Sequence, residues 1–185
     1  LKEADVISIF KESRKTCVQV FFFRSKQNWG NQAFYPKHDT DDKVEEILSS
    51  FLPQFYENKT IPSLIITNVE TNEKKLLEKT FSLKENKQIA IKKAKAKNEL
   101  SISKLAEKNA KQALKQKLIQ SDTNNNLIDS LAAKFNLNSN LDLIEVYDNS
   151  HIQGTNSVGA LITYGGEGFI KKRYRKFNIK VQKNK

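Results

Sequence analysis

The segment from residue 16 to residue 24, TCVQVFFFR, constrains the fold more than any other part of this 185-residue chain. Side chains of a β-strand alternate between the two faces of a sheet. The apolar and sulfur-containing side chains here fall on both faces: Val18, Val20 and Phe22 on one, and Cys17, Phe21 and Phe23 on the other. A strand that is apolar on both faces is predicted to lie centrally, in a sheet covered on both sides.

The periodicity of the flanking residues predicts a mixed α/β fold. Strands are predicted at residues 5–12, 31–36, 63–69 and 88–91. Helices are predicted at about 41–56, 72–82 and 98–120, the last rich in lysine, and a further short helix follows the polar segment SDTNNN. Up to residue 120 the order is β-β-β-α-β-α-β-α, which by analogy is the order of the ribonuclease H-like fold.

The positions that carry catalytic acids in that fold are neutral in this first region. The middle of the first strand and the end of the fourth strand hold Ser8 and Asn68, and Asp5 is at the edge of the first strand. We therefore predict that residues 1–97 form a degenerate, non-catalytic ribonuclease H-like domain. Residues 98–140 are interpreted as a lysine-rich helical connector.

A second β pattern begins at residue 141. Predicted strands at 141–148, 157–164 and 169–179 form a three-stranded antiparallel meander, interpreted as the truncated start of a second ribonuclease H-like domain over residues 141–185. One face of such a meander needs a cover. Asp148 ends the first of these strands, and a carboxylate on an apolar strand is costly unless it meets a cation, a metal or a hydrogen-bond network. From the residues alone, Asp148 is either a metal ligand or a strand-end cap or ion pair.

The formal net charge of +11 is concentrated in two segments. Residues 84–120 hold eleven lysines and three glutamates, and residues 170–185 hold eight lysines or arginines and no acid. This asymmetry predicts a polyanion-binding surface. The candidate DNA-binding residues are Lys104, Lys108, Lys111, Lys115, Lys171, Lys172, Arg173, Arg175 and Lys176. A solvated lysine face and an edge strand protected by lysine remain alternatives.

The remaining composition limits the classes of protein. The single cysteine, Cys17, excludes an internal disulfide and is expected to be a buried thiol, which fits the cytoplasm. No apolar run is long enough for a membrane span, so no membrane partner is expected. The sequence has no methionine, which indicates a fragment or a processed start. Trp29 and Tyr35 are expected to pack on their hairpin, with stacking on bases as the alternative.

Several segments together resemble one family. The most specific is YDNSHIQGTNSVGALITY from Tyr147, followed by KRYRKFNIK; upstream, ADVI, VQVFFFR and FLPQFY occur in the same order as in that family. Essentially the whole chain, apart from the last residues VQKNK, thus resembles the excinuclease UvrC family, the incision subunits of bacterial nucleotide excision repair, from its central region into its C-terminal nuclease domain.

The resemblance implies a function and a site. Asp148 matches the first-strand carboxylate of a metal-dependent endonuclease, where it would hold Mg²⁺ or Mn²⁺. Ser150 and His151 would form a loop beside that site, although a structural role for His151 is favoured. The implied partners are damaged duplex DNA and UvrB, the latter through a segment mostly outside this sequence. The family's other catalytic residues lie downstream, so we expect this chain alone to be inactive and to bind no metal tightly; a non-catalytic DNA- or protein-binding module is the alternative.

Overall fold

A computed structural model describes residues 1–137, 141–152 and 155–179, with the backbone alone at residues 151, 152, 155 and 156. The chain divides into two compact units, Leu1–Lys115 (unit 1) and Gln116–Lys185 (unit 2), and each is described by itself. Within the described ranges, none of the helices combines the length and the apolar character needed to cross a membrane.

Unit 1 is built around a five-stranded sheet. Its strands are β1 (Ala4–Glu12), β2 (Lys15–Arg24), β3 (Gln27–Phe34), β4 (Leu64–Thr67) and β5 (Ala90–Lys93), and its helices are α1 (Val44–Phe55), α2 (Lys74–Glu85) and the first part of α3 (Lys97–Lys134). The spatial order is β3-β2-β1-β4-β5. Strands β1 to β3 pair antiparallel, while β4 pairs parallel with β1 and with β5. This mixed sheet confirms the predicted α/β class.

Both faces of this sheet are buried, as the alternation in β2 predicts. One core cluster packs β1 and β2 against α1 and α2, with aromatic contacts centred on Phe55. The other cluster joins Val6, Phe21 and Ile66 to Ala106 of α3. Cys17 is fully buried in β2, as expected. At about 25 cal/mol per Å² of apolar surface, these two layers supply most of the driving force for folding.

Helix α3 is longer than the sequence pattern predicts. The polar segment SDTNNN was expected to end one helix before another began, but α3 runs through it without a break. Ser, Asp, Thr and Asn each cost less than ~1 kcal/mol in a helix, and the segment contains neither Gly nor Pro. Thr123 also donates its hydroxyl to the Ile119 carbonyl within the helix at 2.9 Å. The expected break was therefore wrong because weak helix formers are not helix breakers.

Unit 2 contains a smaller antiparallel sheet. Strand β6 (Leu143–Ile152) pairs with β7 (Thr155–Gly165), and the other edge of β7 pairs first with β8 (Gly168–Phe169) and then with β9 (Arg175–Asn178). The predicted single strand at 169–179 is thus interrupted by a 3₁₀ turn, Lys171–Arg173. Asn124 of α3 bonds to this sheet, because its Oδ1 accepts from the Tyr164 hydroxyl at 2.9 Å. The three-stranded meander forms as predicted, with a broken third strand.

The predicted limits at residues 97 and 140 stay predictions, since a division by compactness does not test where an independently folding domain ends. The division at Lys115 falls inside α3, half of the way along a continuous helix. The first unit has the strand order and double helical cover that the ribonuclease H-like analogy requires.

Candidate carboxylate site and nucleic-acid interface

The two neutral residues at the acid positions of unit 1 are bonded to protein atoms. Ser8, in the middle of β1, is fully buried and donates its hydroxyl to the Ser103 carbonyl of α3 at 2.9 Å. Asn68, just after β4, accepts from the Ile9 N–H and donates to the Ile9 carbonyl, both at 2.9 Å. These side chains therefore join β1 to α3 and to the end of β4.

Asp5 is the most deeply buried acid among the described residues of unit 1, and its two oxygens have separate partners. It is the second residue of β1 and is 1% exposed, rather than lying at an open edge. Arg24 Nη1 donates to one carboxylate oxygen and the Tyr56 hydroxyl donates to the other, each at 2.7 Å. Burial, followed by the Asp5 charge, raises the pKa of Tyr56 well above its ordinary value. Sequence reasoning missed this network because its members are far apart in the chain.

Asp148 lies in the middle of β6 and is exposed. The sequence pattern placed it at the end of a strand, but β6 continues to Ile152 because Asn149, Ser150 and Ile152 pair with β7. Asp148 pairs with Ala160 of β7, which in turn pairs with Lys176 of β9. Residues paired across antiparallel strands share a face. The carboxylate and this lysine therefore lie on the same face of the sheet, with a small alanine between them.

The described residues supply one ligand for a metal at this position. The neighbouring carboxylate, Glu145, lies on the opposite face and accepts from Arg173 Nη2 at 3.3 Å. In the parts of the chain that the structure describes, no group of three or more His, Cys, Asp or Glu side chains could hold a metal ion. Since Mg²⁺ is held by several oxygen ligands, Asp148 by itself does not make a metal site.

Ser150 and His151 lie within β6 rather than in a loop after it. The pairing register shifts between Ser150 and Ile152, so His151 falls at an irregularity of the strand. Their functional role stays a prediction.

The basic residues near the end of the chain separate into two groups. Lys171, Lys172 and Arg173 form the 3₁₀ turn, while Arg175 and Lys176 belong to β9. All five are exposed. A continuous strand at 169–179 would alternate these residues between two faces, but the alternation is lost at the turn, because a 3₁₀ segment does not have the two-residue period of a strand. Only in β9 do neighbouring basic residues take opposite faces.

The lysines of α3 form a continuous exposed stripe. Lys104, Lys108, Lys111 and Lys115 are spaced by three or four residues, which places them along one side of the helix. Its opposite side is buried at Ser103, Ala106, Ala110 and Leu114. Leu105, next to Lys104 in the sequence, is 50% exposed. Lys111 also lies over the Phe10 ring, 5.5 Å from its centroid.

Trp29 does not pack on its hairpin as expected, since it is 70% exposed. Tyr35 is 37% exposed and its hydroxyl donates to the Ala113 carbonyl of α3 at 3.3 Å. The sequence feature that could have indicated the exposure of Trp29 is the glycine that follows it in the strand. Gly30 has a positive φ of 111°, which favours glycine and is found at β-bulges.

The order β3-β2-β1-β4-β5 with helices on both faces, followed by a second sheet with an acid in its first strand, defines a ribonuclease H-like protein. Two family models agree: one described as the UvrC ribonuclease H-like domain matches residues 3–117, and one described as the UvrC RNase H endonuclease domain matches residues 132–185. The chain belongs to the UvrC family.

Individual relatives support this assignment over nearly the whole sequence. UvrABC system protein C of Bartonella quintana is 46% identical over 97% of this chain, which corresponds to 26% of that protein. The proteins of the same name from Maricaulis maris and Caulobacter vibrioides are 41% and 42% identical over 97% of this chain, and 28% and 30% of their own lengths are covered. The chain thus spans under a third of the length of the curated relatives it matches.

Proposed function

We propose that this chain is a DNA-binding section of the excision-repair endonuclease, and that it contributes Asp148 to the incision site. DNA and UvrB are the proposed partners, in keeping with the UvrABC system named in its relatives. The observation that carries DNA binding is the exposed lysine stripe of α3. The other side of this helix is buried at Ser103, Ala106, Ala110 and Leu114, so the four lysines lie on a packed helix rather than on a flexible segment.

The dimensions of the stripe suit a phosphate backbone. At 1.5 Å per helical residue, Lys104 and Lys115 are roughly 16 Å apart along the axis. Phosphates on one strand of B-DNA are about 3.4 Å apart along the axis, so the stripe covers about five of them. Flexible ammonium groups contact phosphates without reading bases. Binding by this surface is therefore expected to be independent of sequence.

Salt dependence tests the stripe directly. In the variant with Lys104, Lys108, Lys111 and Lys115 all changed to Gln, we expect weaker binding to duplexes of any sequence. If all four lysines contact phosphates, the slope of log K against log salt flattens by about 3 to 4, since each phosphate contributes about 0.9. Labelled-duplex anisotropy at several salt concentrations measures this slope.

A matched control separates a local contact from overall charge. The control variant changes Lys37, Lys75, Lys79 and Lys87 to Gln; all four are exposed, lie outside α3 and remove the same total charge. We expect its slope to stay close to that of the parent chain. Equal flattening in both variants would assign the effect to net charge, and an unchanged slope in the α3 variant would leave the stripe as a solvated face.

For Asp148 we propose the role of one metal-binding carboxylate, with Mg²⁺ or Mn²⁺ as the cofactor of the complete site. Its exposure on an open sheet face, on the same side as Lys176, supports a position near a phosphate. The described residues do not complete that site, so the chain alone is expected to leave damaged duplex DNA intact. Nicking in the presence of Mn²⁺ that disappears in Asp148→Ala would overturn this expectation.

One observation favours a non-catalytic binding role for unit 1. Ser8 and Asn68 occupy its two acid positions and use their polar atoms on protein partners, which leaves no carboxylate at those positions. We therefore propose that unit 1 binds rather than cuts. Cleavage by a variant that lacks the Asp148 carboxylate would contradict this assignment.

A further inference from the structure

Trp29 is held in solvent by a β-bulge in the edge strand β3. Phe21 pairs with Asn31 and Phe23 pairs with Asn28, so Trp29 and Gly30 together lie opposite a single residue of β2. The Asn28 side chain stabilises this bulge, because its Oδ1 accepts from the Gly30 N–H at 2.9 Å. Bulges re-aim side chains and recur next to functional sites. The indole is thus positioned outward by specific local bonds.

A cleft of about 470 Å³ lies beside this indole and is lined by Glu3, Phe22, Arg24, Ser25 and Trp29. Two lysines are sequence neighbours of lining residues, since Lys2 precedes Glu3 and Lys26 follows Ser25. The Lys26 N–H donates to the Lys2 carbonyl at 3.1 Å, so residues 2 and 26 are neighbours at the mouth of the same hairpin. The cleft is therefore lined by two aromatic side chains, one cation (Arg24, whose Nη1 is bonded to Asp5) and one acid (Glu3), and the backbones of Lys2 and Lys26 meet next to lining residues.

We propose that this cleft binds an unpaired base of a DNA strand, stacked on Trp29, with the adjoining phosphate near Arg24 and Lys26. The proposal rests on the DNA binding proposed above and adds a second contact to it. Every base has a π-face that an exposed indole can stack on, and cations beside the aromatic suit the backbone. A protein partner is less favoured by the surroundings, because Asn28, Ser25 and Glu3 lie around Trp29 and Phe22 is the other apolar side chain that lines the cleft, which is not a broad apolar patch.

The chain's single tryptophan makes the test specific, since all indole fluorescence comes from this position. The probes are a short oligothymidylate and an abasic strand of equal length, which carries the same phosphates without bases. We expect the oligothymidylate to quench Trp29 emission and the abasic strand to leave it nearly unchanged at equal occupancy. Equal quenching by both would overturn base stacking.

Substitutions then measure the contribution of the ring. In labelled-strand anisotropy, Trp29→Ala should weaken oligothymidylate binding about 5- to 150-fold, and Trp29→Phe should lose less, because a smaller ring still stacks. Neither substitution should weaken binding of the abasic strand. Leu83→Ala is the matched control, since Leu83 is an apolar side chain of unit 1 that is 74% exposed. The affinity of this variant for oligothymidylate should be unchanged.

Failure of this proposal is distinguishable from failure of the lysine stripe. Retained strand binding without quenching, or with full affinity in Trp29→Ala, overturns the base subsite and leaves the stripe standing. Quenching by oligothymidylate together with an unchanged salt slope in the α3 variant overturns the lysine stripe and leaves the base subsite standing. A change in Trp29 emission on adding UvrB, with none on adding either strand, would assign the cleft to protein contact and overturn the proposal.

Discussion

Removing the guanidinium beside Asp5 should destabilise unit 1 strongly. Arg24→Met keeps most of the aliphatic stem but leaves the Asp5 carboxylate, 1% exposed, with only the Tyr56 hydroxyl as a side-chain donor. Breaking a buried ion pair by removing one partner costs ~3–5 kcal/mol. Because the Arg24 side chain is itself 27% exposed, water reaches part of the pair and we expect the lower end, about 3 kcal/mol.

Removing the other partners should recover most of that loss. In the variant Asp5→Leu, Arg24→Met, the buried charge is gone, but the Tyr56 hydroxyl is left buried without its acceptor, at a cost of ~1–3 kcal/mol. Adding Tyr56→Phe removes that hydroxyl and keeps the ring packed against Phe55 and Phe81. The single variant is therefore predicted to be the least stable of the three, because replacing a whole buried polar group by apolar residues is often neutral.

Urea unfolding followed by far-UV circular dichroism measures these differences, because the strands and helices of unit 1 lose their signal on unfolding, whereas Trp29 is already 70% exposed in the folded chain. At an m-value of ~2 kcal/mol per M, a loss of 3 kcal/mol lowers the unfolding midpoint by about 1.5 M. A cost of less than ~1 kcal/mol for Arg24→Met, the value of an exposed pair, would refute the expected role of the buried charge. A triple variant no more stable than the single one would refute it as well.

Two side chains of α3, Glu99 in its first turn and Asn124 in its later part, are each bonded to another element of their own unit. Lys92 donates to Glu99 at 2.7 Å and lowers its pKa from 4.5, so this contribution to stability is present above pH 4.5 and is lost as the pH falls through the lowered value; urea unfolding of Glu99→Gln from pH 7 to pH 3 should show a smaller acid loss than the parent chain, and an identical profile would refute this. Asn124→Ala should destabilise unit 2 by ~1–3 kcal/mol, because it leaves the Tyr164 hydroxyl without its acceptor; faster amide hydrogen exchange in β7 would show it, and unchanged exchange would contradict it.

Local periodicity was sufficient to predict the sheet of unit 1 and the helices that pack on its two faces. The strand at residues 16–24 is buried on both faces by two helical layers, and a strand buried on both faces needs apolar side chains on both. The same logic did not end α3 correctly, because polar residues signal exposure and not helix termination. Asn124 is polar and yet 8% exposed, since its side chain bonds to residues of the β7 hairpin some forty positions later.

The candidate sites were harder to predict for a related reason. Asp148 was found from a resemblance, while its position in the middle of β6 depends on pairing with β7 that no local pattern encodes. The exposure of Trp29 depends on an unequal pairing of two strands, and the Asp5 network joins residues 19 and 51 positions apart. Sequence patterns describe which face a residue takes, whereas these features depend on which distant residue it meets.

The middle of the first strand shows how the two units differ chemically. In unit 1 that position is Ser8, fully buried and bonded to Ser103, and the buried acid of the same strand, Asp5, has its two oxygens bonded to Arg24 and Tyr56. In unit 2 it is Asp148, exposed on an open face. A carboxylate whose lone pairs are used by protein donors has little to offer a metal, while an exposed one remains available. The proposed division, binding in unit 1 and chemistry in unit 2, follows from this difference in how each carboxylate is satisfied.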